Sequence, residues 1–344
     1  MHNLLNTLYV MTPGAYAHLE NNTLRIDVEK EKRLQVPLHH LEGLVCFGNV
    51  MVSPFLVHRL ADEGKTLVYL EDSGRFKARL EGPVSGNILL RQAQHRTAGE
   101  ATAVLEVARA VVAGKVKNSR SVVQRGAREA ADAEEAKVLG RAADNLAASL
   151  RSTKEAPDLD TLRGIEGEAA RGYFGALNVV IKPQAREHFA LNGRTRRPPR
   201  DRFNALLSFL YSMLMNTCRS GLESVGLDPQ LGFLHAVRPG RAALALDLQE
   251  EFRSTLADRL ALTLINRGQI NPEHFDEREG GAVMLNEQGR RQVITAWQER
   301  RQEEVTHPVL EKRVPIALLP LIQARFIART IRGEMEGYVP YIAK

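Results

Sequence analysis

The chain has 344 residues, of which 44% are hydrophobic and 26% are charged. This is the composition of an ordinary globular protein and argues against a mostly disordered chain, and the length suggests two domains at the usual ~100 to 200 residues each. Forty-seven Lys and Arg against 41 Asp and Glu give a net charge of +6, which permits a polyanionic partner without requiring one.

The two cysteines, Cys46 and Cys218, stand far apart in apolar surroundings. Their placement argues against a disulfide scaffold, a zinc knuckle and an iron–sulfur cluster. No run approaches the ~20 uninterrupted apolar residues of a membrane span, and residues 1–10 lack the charged start and apolar run of a signal peptide. We therefore expect a protein of the reducing cytoplasm that is neither secreted nor embedded in a membrane.

The first 80 residues have the pattern of short strands separated by turns. A helix is predicted over residues 53–63, because Ser53 can cap its first turn, Pro54 suits the first helical position and Gly64 ends it. This part of the chain predicts a small, mainly antiparallel β domain. Its predicted strands are residues 8–10, 23–28, 43–47, 50–52, 66–70 and 76–80.

After the turn-rich residues 81–86, the chain becomes rich in Ala, Leu, Val, Arg and Glu, which is a helical composition. We place the domain boundary at residue 85. The predicted fold class is α+β, with a small N-terminal β domain (1–85) followed by a larger, all-helical domain (86–344). Helices are predicted within residues 87–152 and over 167–177, 203–224, 250–267, 288–304 and 316–336.

Glu166 stands between two glycines, just before residues of helical pattern. Because glycines carry no side-chain bulk, a phosphate backbone could approach this carboxylate closely. The alternative interpretation is a helix start, with acids near the positive end of the helix dipole.

His235 follows an apolar run and would ordinarily be a core or edge histidine, since imidazole satisfies its hydrogen bonds easily. Arg238 and Arg241 stand close behind it. A metal ligand beside guanidinium groups that bind phosphate makes chemical sense, so we keep His235 as a candidate ligand.

Asp247 and Glu250 are three residues apart and would share one face of a helix, where both carboxylates could reach one cation. The same spacing is that of a capping box, with Asp247 as the cap and Glu250 reaching back. The local pattern leaves both interpretations open.

Residues 194–202 hold five arginines against one acid in a stretch broken by two prolines, which predicts a loop. The use of Arg rather than Lys favours bidentate phosphate contacts, although a solvated surface loop is an equal alternative. Motifs for zinc proteases, serine hydrolases, ATP binding and dinucleotide binding do not occur. The arginines of interest in this loop are Arg196, Arg197 and Arg200.

Taken in order, these motifs resemble one family: the CRISPR adaptation integrase, the larger and catalytic protein of the spacer-acquisition complex. The similarity runs nearly end to end and is strongest to the version that accompanies type I-C systems. The residues that carry it are Val36-Pro37-Leu38, Phe47-Gly48-Asn49-Val50, Gly164-Ile165-Glu166-Gly167, Arg196-Arg197-Pro198-Pro199, Asp201 with Asn204-Ala205-Leu206-Leu207-Ser208, Gly226-Leu227-Asp228-Pro229, Gly232-Phe233-Leu234-His235 and Leu246-Asp247-Leu248-Gln249-Glu250-Glu251-Phe252-Arg253.

The resemblance implies a metal site of Glu166, His235 and Glu250, with Asp247 in reserve for the third position. It also implies an N-terminal β-sandwich-like domain that mediates dimerisation and a helical catalytic domain that holds Mg²⁺ or Mn²⁺. Basic residues are expected beside the metal or on DNA, namely Arg163, Arg238, Arg241, Arg196, Arg197 and Arg200.

The implied activity is insertion of short foreign DNA into a CRISPR array by attack of a 3′ hydroxyl on a repeat phosphodiester, with metal-dependent cutting as the same reaction using water. The implied partners are double-stranded DNA (the incoming fragment and the repeat), a second copy of the chain and the small second protein of the adaptation complex. Two alternatives stay open: a non-catalytic DNA-binding scaffold, whose acids are caps and whose arginines do all the binding, and a metal-dependent nuclease outside immunity.

Overall fold

The computed structural model of the chain describes residues 7–72, 74, 76–80, 88–130, 132–191, 193–195 and 197–343. The protein is a mixed α and β molecule with a β-rich N-terminal part and a mostly helical remainder. Its contacts divide it into two units. Residues Met1–Ser85 and Asn286–Glu303 form the first, here the β unit, and Gly86–Leu285 with Glu304–Lys344 form the second, the helical unit.

In its described residues the β unit contains two four-stranded sheets. All six predicted strands are present, and two more were not predicted. Tyr16–Glu20 mixes the polar His18 and Glu20 with apolar residues, and Glu31–Pro37 is an exposed edge strand that starts with three charged residues. In spatial order the first sheet has β1 (Thr7–Val10), β5 (Gly43–Phe47), β7 (Thr66–Leu70) and β8 (Phe76–Arg79), and the second has β4 (Glu31–Pro37), β3 (Thr23–Val28), β2 (Tyr16–Glu20) and β6 (Met51–Val52).

The expectation of a mainly antiparallel domain is wrong for half of the ladders in the described residues. β1 with β5, β5 with β7, and β2 with β6 pair in parallel, whereas β2 with β3, β3 with β4, and β7 with β8 pair antiparallel. The β5–β7 pair is parallel because helix α1 (Pro54–Asp62) carries the chain back to β7 as a crossover. The β1–β5 pair is parallel because strands of the second sheet lie between β1 and β5 in the chain. The first turn of α1 is capped as predicted, since Ser53 Oγ accepts the Leu56 N–H at 3.2 Å.

One buried apolar cluster joins both sheets and α1. Leu24 comes from the second sheet, Leu44 and Cys46 come from the first, and Leu56 and Leu60 come from α1. Burial of such side chains is the main favourable contribution to folding of this unit.

The other predicted helical regions are all helical, with different bounds, and the short helix over Pro183–Phe189 was not predicted. A π-helical segment, Arg253–Asp258, joins two helices end to end, where the sequence predicted one helix over 250–267. Among the described residues no helix is long and apolar enough to cross a membrane. The helices are α2 (Ile88–Gly99), α3 (Ala101–Arg128), α4 (Ala133–Glu155), α5 (Leu159–Val180), α6 (Pro183–Phe189), α7 (Arg202–Ser224), α8 (Ala243–Phe252), α9 (Arg259–Asn266), α10 (Glu287–Gln302) and α11 (Leu319–Ile331).

The helical unit is not all-helical, which corrects the sequence prediction. Strands β9 (Phe275–Arg278) and β10 (Ala282–Leu285) form one hairpin, and β11 (Glu304–Thr306) and β12 (Arg313–Pro315) form another. The first turn uses Gly280 and Gly281 with φ of +84° and +75°, values that glycine adopts without steric cost. Runs of three or four residues are too short for periodicity to distinguish them from loops.

Helix α10 belongs to the β unit, although the sequence analysis placed residues 86–344 together. Trp297 is buried, and the Gln298 side-chain amide donates to the Thr7 carbonyl at 2.7 Å. Arg301 Nη1 donates to Thr7 Oγ1 at 3.3 Å. These contacts join residues almost three hundred positions apart, which a local pattern does not reveal.

Candidate metal centre

Glu166 lies well inside α5 rather than at its start. The helix begins at Leu159, and Asp158 caps it by accepting the Thr161 N–H at 2.8 Å. The interpretation of Glu166 as an acid at the positive end of a helix dipole is therefore wrong. Its side chain is 25% exposed, so this carboxylate is open to solvent and to a ligand.

Glu250 lies on α8 with its side chain only 2% exposed. Its Oε1 is 2.7 Å from Nη1 of Arg253, and its Oε2 is 2.7 Å from Nζ of Lys115. Burial opposes ionisation of this carboxyl, but the charges of Arg253, Lys115 and His235 outweigh it and lower the pKa of Glu250 to about 2. Glu250 is thus an anion held between two cations.

Asp247 is fully buried one turn earlier on α8, and it fixes the loop that carries His235. Its Oδ2 accepts the N–H groups of Phe233 at 2.6 Å and Leu234 at 3.0 Å, and its Oδ1 accepts the N–H of His235 at 3.0 Å. The N-cap position of α8 is Ala242, without a side-chain cap. The capping-box interpretation is therefore wrong, and Asp247 instead bonds to a distant loop.

The close approach of this loop to α8 requires Gly232. A Cβ atom on Gly232 would lie 2.6 Å from the carbonyl carbon of Ala243 and 2.7 Å from Oδ2 of Asp247. Arg163 supports the loop from α5, since its Nε donates to the Leu234 carbonyl at 2.9 Å. The backbone of the Gly-Phe-Leu-His motif, residues 232–235, is thus fixed against α8 by the buried carboxylate of Asp247.

The same carboxylate orients the imidazole of His235. Nδ1 of His235 is 2.7 Å from Oδ1 of Asp247, and because an ionised carboxylate only accepts, Nδ1 carries the proton in the neutral ring. Nε2 then presents its lone pair, 3.7 Å from Oε1 of Glu250. A carboxylate behind an imidazole is the usual arrangement of a histidine that binds metal.

Lys115 of α3 completes the cluster and was missed by the sequence analysis. Its ammonium pairs with Oε1 of Glu166 as well as with Glu250, and its side chain is only 11% exposed. The available signal was a lysine one turn after Val111 and one turn before Ser119, two buried residues of the same helix. A cation on the buried face of a helix implies a buried acidic partner.

Over the described part of the chain, no three or more His, Cys, Asp or Glu side chains are arranged to hold a metal ion. The chemistry of Glu166, Glu250 and His235 nevertheless fits one, because two carboxylates and an oriented Nε2 are a mixed oxygen and nitrogen donor set. What separates the two carboxylates here is the ammonium of Lys115.

Glu251 faces away from this cluster. It accepts hydrogen bonds from Tyr338 Oη, the Tyr341 N–H and, at 3.2 Å, the Gln323 side-chain amide. Burial raises the pKa of Glu251 to about 8. Its role in the structure is to hold the segment around residues 338–341 against α8.

The predicted basic residues have different surroundings. Arg238 is exposed and Arg241 partly buried just beyond His235, and Arg197 and Arg200 are exposed. Arg196 lies outside the described residues. Arg194 from the same loop packs inward, donating to Asn204 Oδ1 at 2.6 Å.

Known proteins are similar to this one over most of the chain. The family model of the CRISPR associated protein Cas1 matches residues 8–299. The CRISPR-associated endonuclease Cas1 1 of Moorella thermoacetica is 52% identical over 342 residues, 99% of each chain. The protein of the same description from Chlorobaculum tepidum is 45% identical over 338 residues, 98% of each chain.

Solved structures share the fold. A Cas1 protein of Thermotoga maritima superposes with a TM-score of 0.82 at 24% identity, covering 98% of this chain and 100% of the other. A casposase bound to integration product gives 0.83 at 20% identity, covering 97% and 93%. A Cas6-RT-Cas1–Cas2 complex gives 0.82 at 22% identity, covering 98% of this chain and 36% of that one. With the extent of the family match and 52% identity across the whole chain, this protein belongs to the Cas1 family of CRISPR-associated proteins.

Proposed function

We propose that this protein is a divalent-metal-dependent DNA endonuclease and integrase that inserts short foreign DNA into a CRISPR array. The attacking group is a 3′ hydroxyl, and the target is a phosphodiester of the repeat. Family membership supports the general activity, since the relatives from Moorella thermoacetica and Chlorobaculum tepidum are described as endonucleases and a casposase bound to integration product has the same fold. The observation that carries the proposal is the linkage of the three side chains in one cluster: Lys115 pairs with both Glu166 and Glu250, and Nε2 of His235 is 3.7 Å from Oε1 of Glu250.

The proposed ligands are Glu166, Glu250 and Nε2 of His235, which would hold Mg²⁺ or Mn²⁺. A bound divalent cation would neutralise phosphate charge and orient the attacking oxygen. The residues of the chain prepare this site in advance. Asp247 keeps the proton on Nδ1 of His235, and Arg253 holds Glu250 ionised and in place.

DNA binding is assigned to the basic residues around this cluster and in the arginine loop. Arg238 and Arg241 follow His235 within six residues of sequence. We therefore assign them to contacts with a phosphate bound at the cluster. Arg197 and Arg200 are exposed and available for backbone contacts, and Arg196 stands next to them in sequence. Arg163 serves first as a support of the His235 loop.

The proposed partners are a second copy of the chain and the small second protein of the adaptation complex. Strand β6 is an edge strand that exposes Met51 beside Tyr16 of β2, and Phe55 follows with a side chain that is 78% exposed. An edge with exposed apolar side chains favours pairing between copies. A neighbouring structure contains Cas1 with Cas2, which supports the second partner. The type I-C assignment and the cytoplasmic location stay predictions.

The test is an integration assay on a repeat-containing plasmid with a short DNA duplex, in Mn²⁺, in Mg²⁺ and in excess EDTA. The proposal predicts joined strands only with metal. A scaffold would bind the DNA in all three conditions and join none, and that result would reject the proposal.

A further inference from the structure

Lys115 is the one residue of the cluster to which the proposed reaction gives no role. It reaches from α3 to two carboxylates on different helices, Glu166 on α5 and Glu250 on α8. The contact with Glu250 is 2.7 Å, and the lysine side chain is largely buried. A long, flexible stem with a compact charge at its end can take up and leave such a position, which the planar Arg253 cannot do equally well.

The charges explain why a cation is needed there. Glu250 has Arg253 on its Oε1, but its Oε2 and the facing oxygen of Glu166 are both next to Lys115. Two carboxylates that approach one point repel each other unless a cation lies between them. A buried anion that loses its partner destabilises the folded state substantially.

A divalent cation that uses the same two carboxylates needs the place that the ammonium occupies. We infer that Lys115 is the counter-ion of the metal-free site and competes with the divalent metal for Glu166 and Glu250. The inference rests on the metal site proposed above. Lys115 keeps the two carboxylates together when no metal is bound, and it withdraws from between them when one binds.

This competition sets the metal affinity of the site. The favourable free energy of metal binding is reduced by the cost of breaking the two ion pairs of Lys115. Replacing the lysine removes that cost. The same lysine stabilises the metal-free fold. A variant without it is therefore less stable without metal and binds metal more tightly, a combination that neither a metal-supporting nor a purely structural lysine produces.

The experiment compares full-length wild type, Lys115→Met and Lys117→Met, stripped with EDTA and then dialysed. Lys117 is an exposed lysine on the same helix, so it controls for charge and composition. Mn²⁺ binding is measured by isothermal titration calorimetry, and melting temperature is measured with and without Mn²⁺. Lys115→Gln, which keeps a hydrogen-bond donor without the charge, takes the place of Lys115→Met if that variant does not fold.

For Lys115→Met we expect Mn²⁺ to bind on the order of tenfold more tightly than to wild type. We also expect the metal-free melting temperature to fall by about 5 °C. Lys117→Met should match wild type in both. Binding by the variant where wild type shows none would equally support the competition.

Unchanged or weaker Mn²⁺ binding by Lys115→Met would overturn the inference, and binding by neither protein would overturn it together with the proposed metal site. If the variant binds Mn²⁺ more tightly but wild type joins no DNA at any Mn²⁺ concentration, the inference stands. The proposed function is then rejected instead.

Discussion

The carboxylate of Asp247 shows how one buried residue organises a site without occupying it. Its two oxygens accept three backbone N–H groups and the Nδ1 proton of His235. A carboxylate that already accepts these four hydrogen bonds has little capacity left to bind a metal. For this reason we assign Asp247 to positioning and Glu250 to the third ligand position, the order of preference that the sequence resemblance implied.

Replacing Asp247 by Asn tests this assignment. The amide has only one acceptor oxygen, and its NH₂ group faces N–H donors, so the loop loosens and the tautomer of His235 is no longer fixed. We expect the Mn²⁺ concentration for half-maximal DNA cleavage to rise about 10- to 100-fold, with activity recovering at high Mn²⁺. Asp132→Asn, at an exposed helix cap where Asn caps equally well, is the control. An unchanged Mn²⁺ requirement in folded Asp247→Asn would show that the bonds only shape the loop.

Site residues that stand in a short motif were predictable from the sequence, whereas Lys115, which stands in none, was not. Glu166 and His235 stand in short Gly-containing motifs, whereas Lys115 lies in a long helix rich in basic residues. Its partners come from α5 and α8, 51 residues away in the case of Glu166. Only the packing of α3, α5 and α8 brings these charges together, and the sequence pattern does not reveal that packing.

The π-helical segment after α8 is bonded to two other helices, α5 and α7, through one buried acid. Asp258 accepts hydrogen bonds from Tyr173 of α5 at 2.9 Å and from Tyr211 of α7 at 2.7 Å. Burial raises the pKa of Asp258 to about 6, against an ordinary value of 3.8. The folded protein therefore keeps this proton over a pH range in which the unfolded chain has lost it.

This shift predicts a pH dependence of stability. A raised pKa in the folded state gives a contribution that is fully present below the unfolded pKa and is lost as pH rises through the folded pKa. The free energy of unfolding of wild type, relative to Asp258→Asn, should thus decline between about pH 4 and 7. Urea denaturation at several pH values measures it, with the exposed Asp144→Asn as the control. A constant difference across this range would contradict the prediction.

Element bounds were predictable where apolar periodicity and end signals coincide. Helix α1, with Ser53 before it and Pro54 at its first position, was predicted within a residue at each end. Helix α5 was predicted eight residues too short at its start, because its first turns contain Gly164 and Gly167, which ordinarily weaken a helix. Packing against α3 and α4 decides that segment instead.

We expect the protein to form a homodimer through the β unit. Met51 is 57% exposed and Phe55 78% exposed, beside an edge strand. Wild type should be a dimer at micromolar concentration by light scattering, and Met51→Glu with Phe55→Glu should shift it to monomer, because the charges would be desolvated on pairing. Val138→Glu, at an exposed apolar residue of α4, should leave the dimer intact. A monomeric wild type would rule out this arrangement.

We expect Glu166, His235 and Glu250 to act as one unit in catalysis. The most direct measurement is strand transfer of a labelled DNA duplex into a repeat-containing target by Glu166→Ala, His235→Ala, Glu250→Ala and the triple variant, with DNA affinity measured alongside. Each single change should nearly abolish transfer while DNA binding stays close to wild type, and the triple variant should lose no more than the singles, since a site already destroyed cannot be lost again. Near-normal transfer by folded Glu166→Ala or His235→Ala would contradict the account.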